Sequence, residues 1–128
     1  MSNYTVKNLK QVTNAAEQFG LADNLEARFA RKPLELENLG ISYQRLEPNF
    51  RIPFGHKHGK QEELYVVIRG TARLKVDDEV VELMEWDAIR VPAEVTRNFE
   101  AGPDGVEFIA VGAPLDEETD MVQEWWAD

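Results

Sequence analysis

From Gly40 to Val111 the chain reads as short segments with a hydrophobic period of two, cut repeatedly by turn residues. That pattern restricts the fold to an antiparallel β sandwich or barrel, because alternating side chains need one buried face on each short strand. Strands are predicted over residues 41–46, 63–69, 71–76, 80–83, 88–91, 96–100 and 106–111. Pro48-Asn49 follows the first as turn chemistry, Asp77-Asp78-Glu79 signals a hairpin, and Gly102-Pro103-Asp104-Gly105 predicts a turn between the last two.

Before Gly40 the period differs. Leu9, Val12, Ala16 and Phe19 recur at three- and four-residue intervals, Asn8 with Gln11 forms a capping-box pattern, and Gly20 ends the segment. A short amphipathic helix is expected there. A second helix is expected from Asp23, with Glu26 three residues on and Leu25 and Phe29 on one face, stopping before Pro33. The resulting division is an N-terminal extension over 1–39, a barrel over 40–114 and an acidic C-terminal tail over 115–128. The tail ends near the adjacent Trp125 and Trp126; packing of that end is the favoured role, with cover for a partner subunit as the other.

A chain of 128 residues fits one domain with one core. A net charge of −10 and a pI near 4.7 oppose binding to nucleic-acid backbones or anionic membranes. The absence of cysteine removes disulfides, thiolate ligands and a cysteine nucleophile. The first residues lack the apolar stretch of a signal peptide and no run approaches the ~20 apolar residues of a membrane helix, so a cytoplasmic protein is expected. Ser2 and Ser42 are the only serines and neither lies in a nucleophile elbow, while the glycines are dispersed among turns. Triad hydrolysis and nucleotide-driven chemistry are thereby disfavoured.

The chemistry concentrates at His56-Lys57-His58, the only two histidines, with Glu63 and Gly70 downstream. Histidines two apart on a strand point the same way, and a bend before Glu63 brings a carboxylate back towards them. An isolated pair of this kind would be read as solvated loop charge. The full spacing, HxH, four residues, Glu, six residues, Gly, resembles the first motif of the cupins, and Pro92 falls where their second motif has its proline. The rest of that second motif is degenerate: its glycines correspond to Trp86 and Glu94, its histidine to Arg97 and its asparagine to Ala101. Phe50 stands where the first motif opens on glycine. The resemblance covers roughly residues 41–112 and implies an all-β, cupin-like jelly-roll barrel with a short, partly helical N-terminal extension. It also implies pairing into a homodimer through barrel sheets.

In that family the second-motif histidine is the fourth metal ligand, and here Arg97 holds the position. A guanidinium has no lone pair to donate. Pointing inward, it repels a divalent cation and pairs with Glu63; turned aside, it leaves His56, His58 and Glu63 sufficient for a facial triad with open positions, with Fe, Mn, Ni or Zn as the expected metals. An inward Arg97 also favours a carboxylate or other small anion, whereas a rim arginine would pair with Glu94 or Glu100. Tyr65, Val67, Trp86 and Phe99 are candidate wall residues, with ordinary core as the favoured role of each; Arg97, Tyr65 and Phe99 form the expected ligand-binding set. The function expected first is binding of a small anionic molecule in a barrel with a weakened metal site. The alternative is a metal-dependent oxygenase or isomerase.

Overall fold

The computed structural model describes residues 3–58, 61–113 and 119–123. His58 belongs to a strand by its backbone, but its side chain lies outside the described residues, as do those of residues 119–123. Eight strands run antiparallel among them: β1 (Leu25–Phe29), β2 (Gly40–Leu46), β3 (Phe54–His58), β4 (Glu63–Val76), β5 (Glu79–Leu83), β6 (Ala88–Val91), β7 (Arg97–Gly112) and β8 (Thr119–Gln123). One path through the sheet runs β1-β2-β7-β3-β8, and β4 pairs with β5, β6 and β7. The architecture is an all-β jelly roll.

β7 is the hub, pairing with β2, β3 and β4. Two pairs of sequence-predicted strands turn out to be single long strands. β4 runs through Gly70, whose φ of +80° and close approach to Gly105 suit glycine alone: a Cβ there would lie 2.1 Å from the Gly105 carbonyl oxygen. β7 likewise runs through residues 102–105, which do not form the expected hairpin turn. Ladder pairing jumps from Gly70 with Val106 to Ala72 with Ala101, so the extra residues form a bulge that keeps Pro103 out of the β4 ladder. The hairpin at Asp77-Asp78 forms as the turn chemistry requires, Val76 facing Glu79 and Asp77 adopting a φ of +49°.

The N-terminal region departs from the helical reading. Instead of one amphipathic helix, two short 3₁₀ turns form at Leu9–Gln11 and Ala15–Phe19, capped by the side chains of Asn8 and Asn14, with Gly20 left-handed at the end. The second expected helix is β1. Leu25 and Ala27 are buried, while Glu26 bonds with Arg28 beside it and with Arg45 on β2, an alternation that fits the sheet edge. The single helical turn α1 (Arg31–Leu34) contains Pro33 near its start, where the missing N–H costs no helical bond. The acidic tail contributes β8, which pairs with β3; residues 114–118 and 124–128, including Trp125 and Trp126, lie outside the described residues.

Val67, Leu74, Leu46, Val91 and Phe108 are almost fully buried between the sheet faces. Burying each such side chain contributes about 1.5–3 kcal/mol. Phe99 stacks on Phe108 with ring centres 4.1 Å apart, and Tyr65 meets both edge-on at 5.0 and 6.0 Å. This aromatic cluster joins the core to the site.

Candidate functional site

A cavity of about 300 Å³ opens inside the barrel on one side of the aromatic cluster. Tyr65, Phe99 and Phe108 line its inner wall together with Ile52 and Phe54. Ala15, Ala16, Phe19 and Leu21 close it from the N-terminal turns. Leu25, Ala27 and Phe29 of β1 add to the same wall. The sequence reading placed none of these N-terminal residues at a site. Phe19 and Phe29 are also more than half exposed, at 58% and 57%, which marks them as the mouth.

The polar groups are few and grouped. His56 and Glu63 reach the cavity from β3 and β4, and Tyr65 follows Glu63 on the same face of β4. The Tyr65 hydroxyl donates to Glu63 Oε1 at 2.7 Å, and His56 Nε2 lies 3.5 Å from the same oxygen. Burial first, then the negative Glu63, pushes the Tyr65 phenol well above its ordinary range, with Arg97 pulling the other way. Tyr65 is therefore a hydrogen-bond donor at neutral pH. Ser42, Gln44 and Asn98 supply further polar atoms to the lining. Asn98 is buried, donating from its side-chain amide to the Ile52 carbonyl; its position beside Arg97 gave no pattern by which it could be found in the sequence.

Arg97 is inside the protein and entirely buried, not on the rim. It pairs across the ladder with His56. Its Nη1 donates to the carbonyls of Ala93 at 3.2 Å and Val95 at 2.8 Å, tying down the loop before β7, and Nη2 lies 3.4 Å from Glu63 Oε1. Nε and Nη2 have no hydrogen-bond acceptor among the described residues. Arg97 is not part of the cavity lining, but it contacts Glu63, which is. Glu100, the rim alternative, instead takes Arg51 at 2.7 Å and Arg73 at 2.9 Å.

Of the other candidate wall residues, Val67 is core and does not line the cavity. Trp86 is a correction: it is 72% exposed in the turn before β6, with a φ of +70°. A left-handed turn favours glycine at this position, and the indole is carried outward with it.

A metal at the first motif would share Glu63 with the groups already around it. Glu63 Oε1 already accepts from Tyr65 and faces the guanidinium of Arg97. A divalent ion bound to that carboxylate, about 5 Å from the guanidinium, meets a repulsion of about 7 kcal/mol at an effective dielectric constant near 20. Among the described residues, which leave out the His58 side chain, no three His, Cys, Asp or Glu side chains are placed to hold a metal ion. Arg97 thus sets a buried positive charge beside the carboxylate of the first motif.

A family model described as Cupin domain matches residues 42–112, more than half of the chain. The chain belongs to the cupin family. Among solved structures, it resembles a cupin protein from Bacteroides fragilis at 22% identity, with a TM-score of 0.73 over 92% of this chain and 90% of that one. A cupin-superfamily sugar phosphate isomerase from Silicibacter pomeroyi is similar at 23% identity and a TM-score of 0.63, over 71% of this chain and 60% of that one. Oxalate decarboxylase from Bacillus subtilis is similar at 26% identity and a TM-score of 0.76, over 94% of this chain. This cupin spans only 32% of the decarboxylase and 60% of the isomerase. No curated protein matches. Among the described residues, no helix is long and apolar enough to cross a membrane.

Proposed function

We propose that this cupin is a binding module that holds a small molecule in its barrel cavity, with the Arg97 guanidinium taking the place of a metal charge beside Glu63. The observation that carries the reading is the cavity itself: about 300 Å³, walled by apolar side chains, with His56, Glu63 and Tyr65 gathered at one place. Few convergent polar groups in an apolar pocket are the ordinary form of a small-molecule site. Because Arg97 faces Glu63 and not the cavity, the preference for an anion expected from its charge loses its direct contact. Fold does not choose among activities, since the structures resembled include an isomerase and a decarboxylase.

The second reading, a metal-dependent oxygenase or isomerase using His56, His58 and Glu63, is favoured by one observation: His56 Nε2 and Glu63 Oε1 lie 3.5 Å apart at the cavity. Metal analysis of protein purified without added metal or chelator separates the two. The binding module should carry less than a tenth of an equivalent of metal, an order-of-magnitude expectation from the repulsion above. Near-stoichiometric Fe, Mn, Ni or Zn that disappears in His56→Ala would give the site to the enzyme. A homodimer is part of the proposal, because β1 and β5 each pair with a single strand among those described and a second copy covers such edges.

A further inference from the structure

The matched family region begins at residue 42, yet much of the cavity wall comes from before it, and this earlier segment decides what the cavity can hold. Phe19 ends the second 3₁₀ turn and Phe29 ends β1, and both line the cavity while remaining more than half exposed. Phe54 and the Tyr65–Phe99–Phe108 cluster line the same cavity. A cavity of about 150 Å³ lined by Leu, Ile and Phe takes one benzene ring, so the 300 Å³ here corresponds to roughly two fused rings. Flat aromatic ligands are what a wall of ring faces and edges receives best.

The polar end adds a requirement. Glu63 brings a carboxylate to the cavity, and the buried Arg97, 3.4 Å from it, is not among the lining residues. A ligand carboxylate would set a second negative charge against the first, whereas a ligand hydroxyl would donate to it. Resting on the small-molecule reading above, we propose that the cavity takes an uncharged, flat aromatic molecule bearing a hydroxyl, its rings entering past Phe19 and Phe29 and its hydroxyl directed to Glu63.

Naphthol, methoxynaphthalene, naphthoate and the saturated decahydronaphthol are the probes, titrated into full-length protein and followed by calorimetry and thermal shift. Naphthol should bind about tenfold or more tightly than methoxynaphthalene, which cannot donate, and than naphthoate, which is charged. Phe19→Ser and Phe29→Ser should each weaken naphthol by roughly two- to tenfold, the value of one aromatic contact, without lowering the melting temperature of the free protein, since both rings are largely exposed. Naphthoate binding as tightly as naphthol overturns the proposal and returns an anion to the reach of Arg97. Equal binding of decahydronaphthol overturns the aromatic class while leaving the cavity a small-molecule site. Unchanged naphthol affinity in both serine variants removes the rim from the site. If naphthol does not bind, the proposal fails, whereas the small-molecule reading is judged separately by the metal analysis above.

Discussion

Replacing Arg97 by histidine tests the electrostatic logic of the site most directly. The guanidinium is fully buried 3.4 Å from a Glu63 carboxylate that is itself 14% exposed, so neither charge is screened as a surface pair would be. Removing the cation relieves up to about 7 kcal/mol of repulsion on a divalent ion at Glu63. Even with most of that lost to relaxation, Arg97→His should bind Zn²⁺ at least about a hundredfold more tightly than wild type, because the new imidazole also supplies a donor. The same change breaks a buried pair and deprives the Ala93 and Val95 carbonyls of their donor, which costs about 3–5 kcal/mol without metal. For a chain of this length that lowers the melting temperature by about 10–20 °C. Zn²⁺ at a hundredfold excess over its dissociation constant should restore about 2.7 kcal/mol. Competition calorimetry and thermal melts, with Arg97→Met as the variant that removes charge without adding a ligand, read all three effects. A melting temperature that falls while Zn²⁺ affinity stays at the wild-type value would show that Arg97 only braces its loop, and the argument from charge would be wrong.

Gly70→Ala should destabilise the fold by about 2–4 kcal/mol in urea melts, because it combines a φ of +80° with a Cβ 2.1 Å from the Gly105 carbonyl oxygen. Trp86→Gly should do the opposite, raising stability by up to about 1 kcal/mol in the same assay, since an exposed residue at a φ of +70° is relieved. The Tyr43 and Tyr65 phenols are both raised, chiefly by burial and then by the carboxylates beside them. The unfolded chain loses these protons near pH 10 while the folded chain keeps them, so their contribution to stability is present below about pH 10 and lost as pH rises above it. Denaturant melts across that range, with phenolate absorbance as the titration signal, should show a decline that Tyr65→Phe makes shallower. Light scattering at micromolar concentration should return the mass of a dimer, and a strictly monomeric mass would remove the edge-covering argument.

Much of the barrel was legible because period-two runs and turn residues agree: β2, β6 and the Asp77-Asp78 hairpin lie where the alternation and turn chemistry put them. β1 was misread for a physical reason. Leu25 and Phe29 are four apart, a spacing that shares a face in a helix and in a strand alike, and only pairing with β2 decides between them. The Gly102-Pro103-Asp104-Gly105 stretch has the composition of a hairpin turn, but it is opposed by a bulge whose existence depends on β4. The first motif marked the place of His56 and Glu63. The direction of Arg97 is a tertiary property, set by two loop carbonyls and a carboxylate on another strand, and no local pattern encodes it.

The central place of β7 bears on how the chain acquires its structure in time. Its partners β2, β3 and β4 are all synthesised before it, and β2 and β4 are each left with an open edge until residues 97–112 have been added, while β3 waits further for β8. Pairings between such distant segments close slowly, on the millisecond-to-second scale common for β barrels. The nascent chain therefore carries its apolar strand faces uncovered for most of its synthesis, and the risk of aggregation falls on that interval and not on the finished barrel. Arg97 opens the strand that ends it, so the first residue of the closing segment is also the one that must be desolvated and matched to Glu63 and its loop as the barrel shuts.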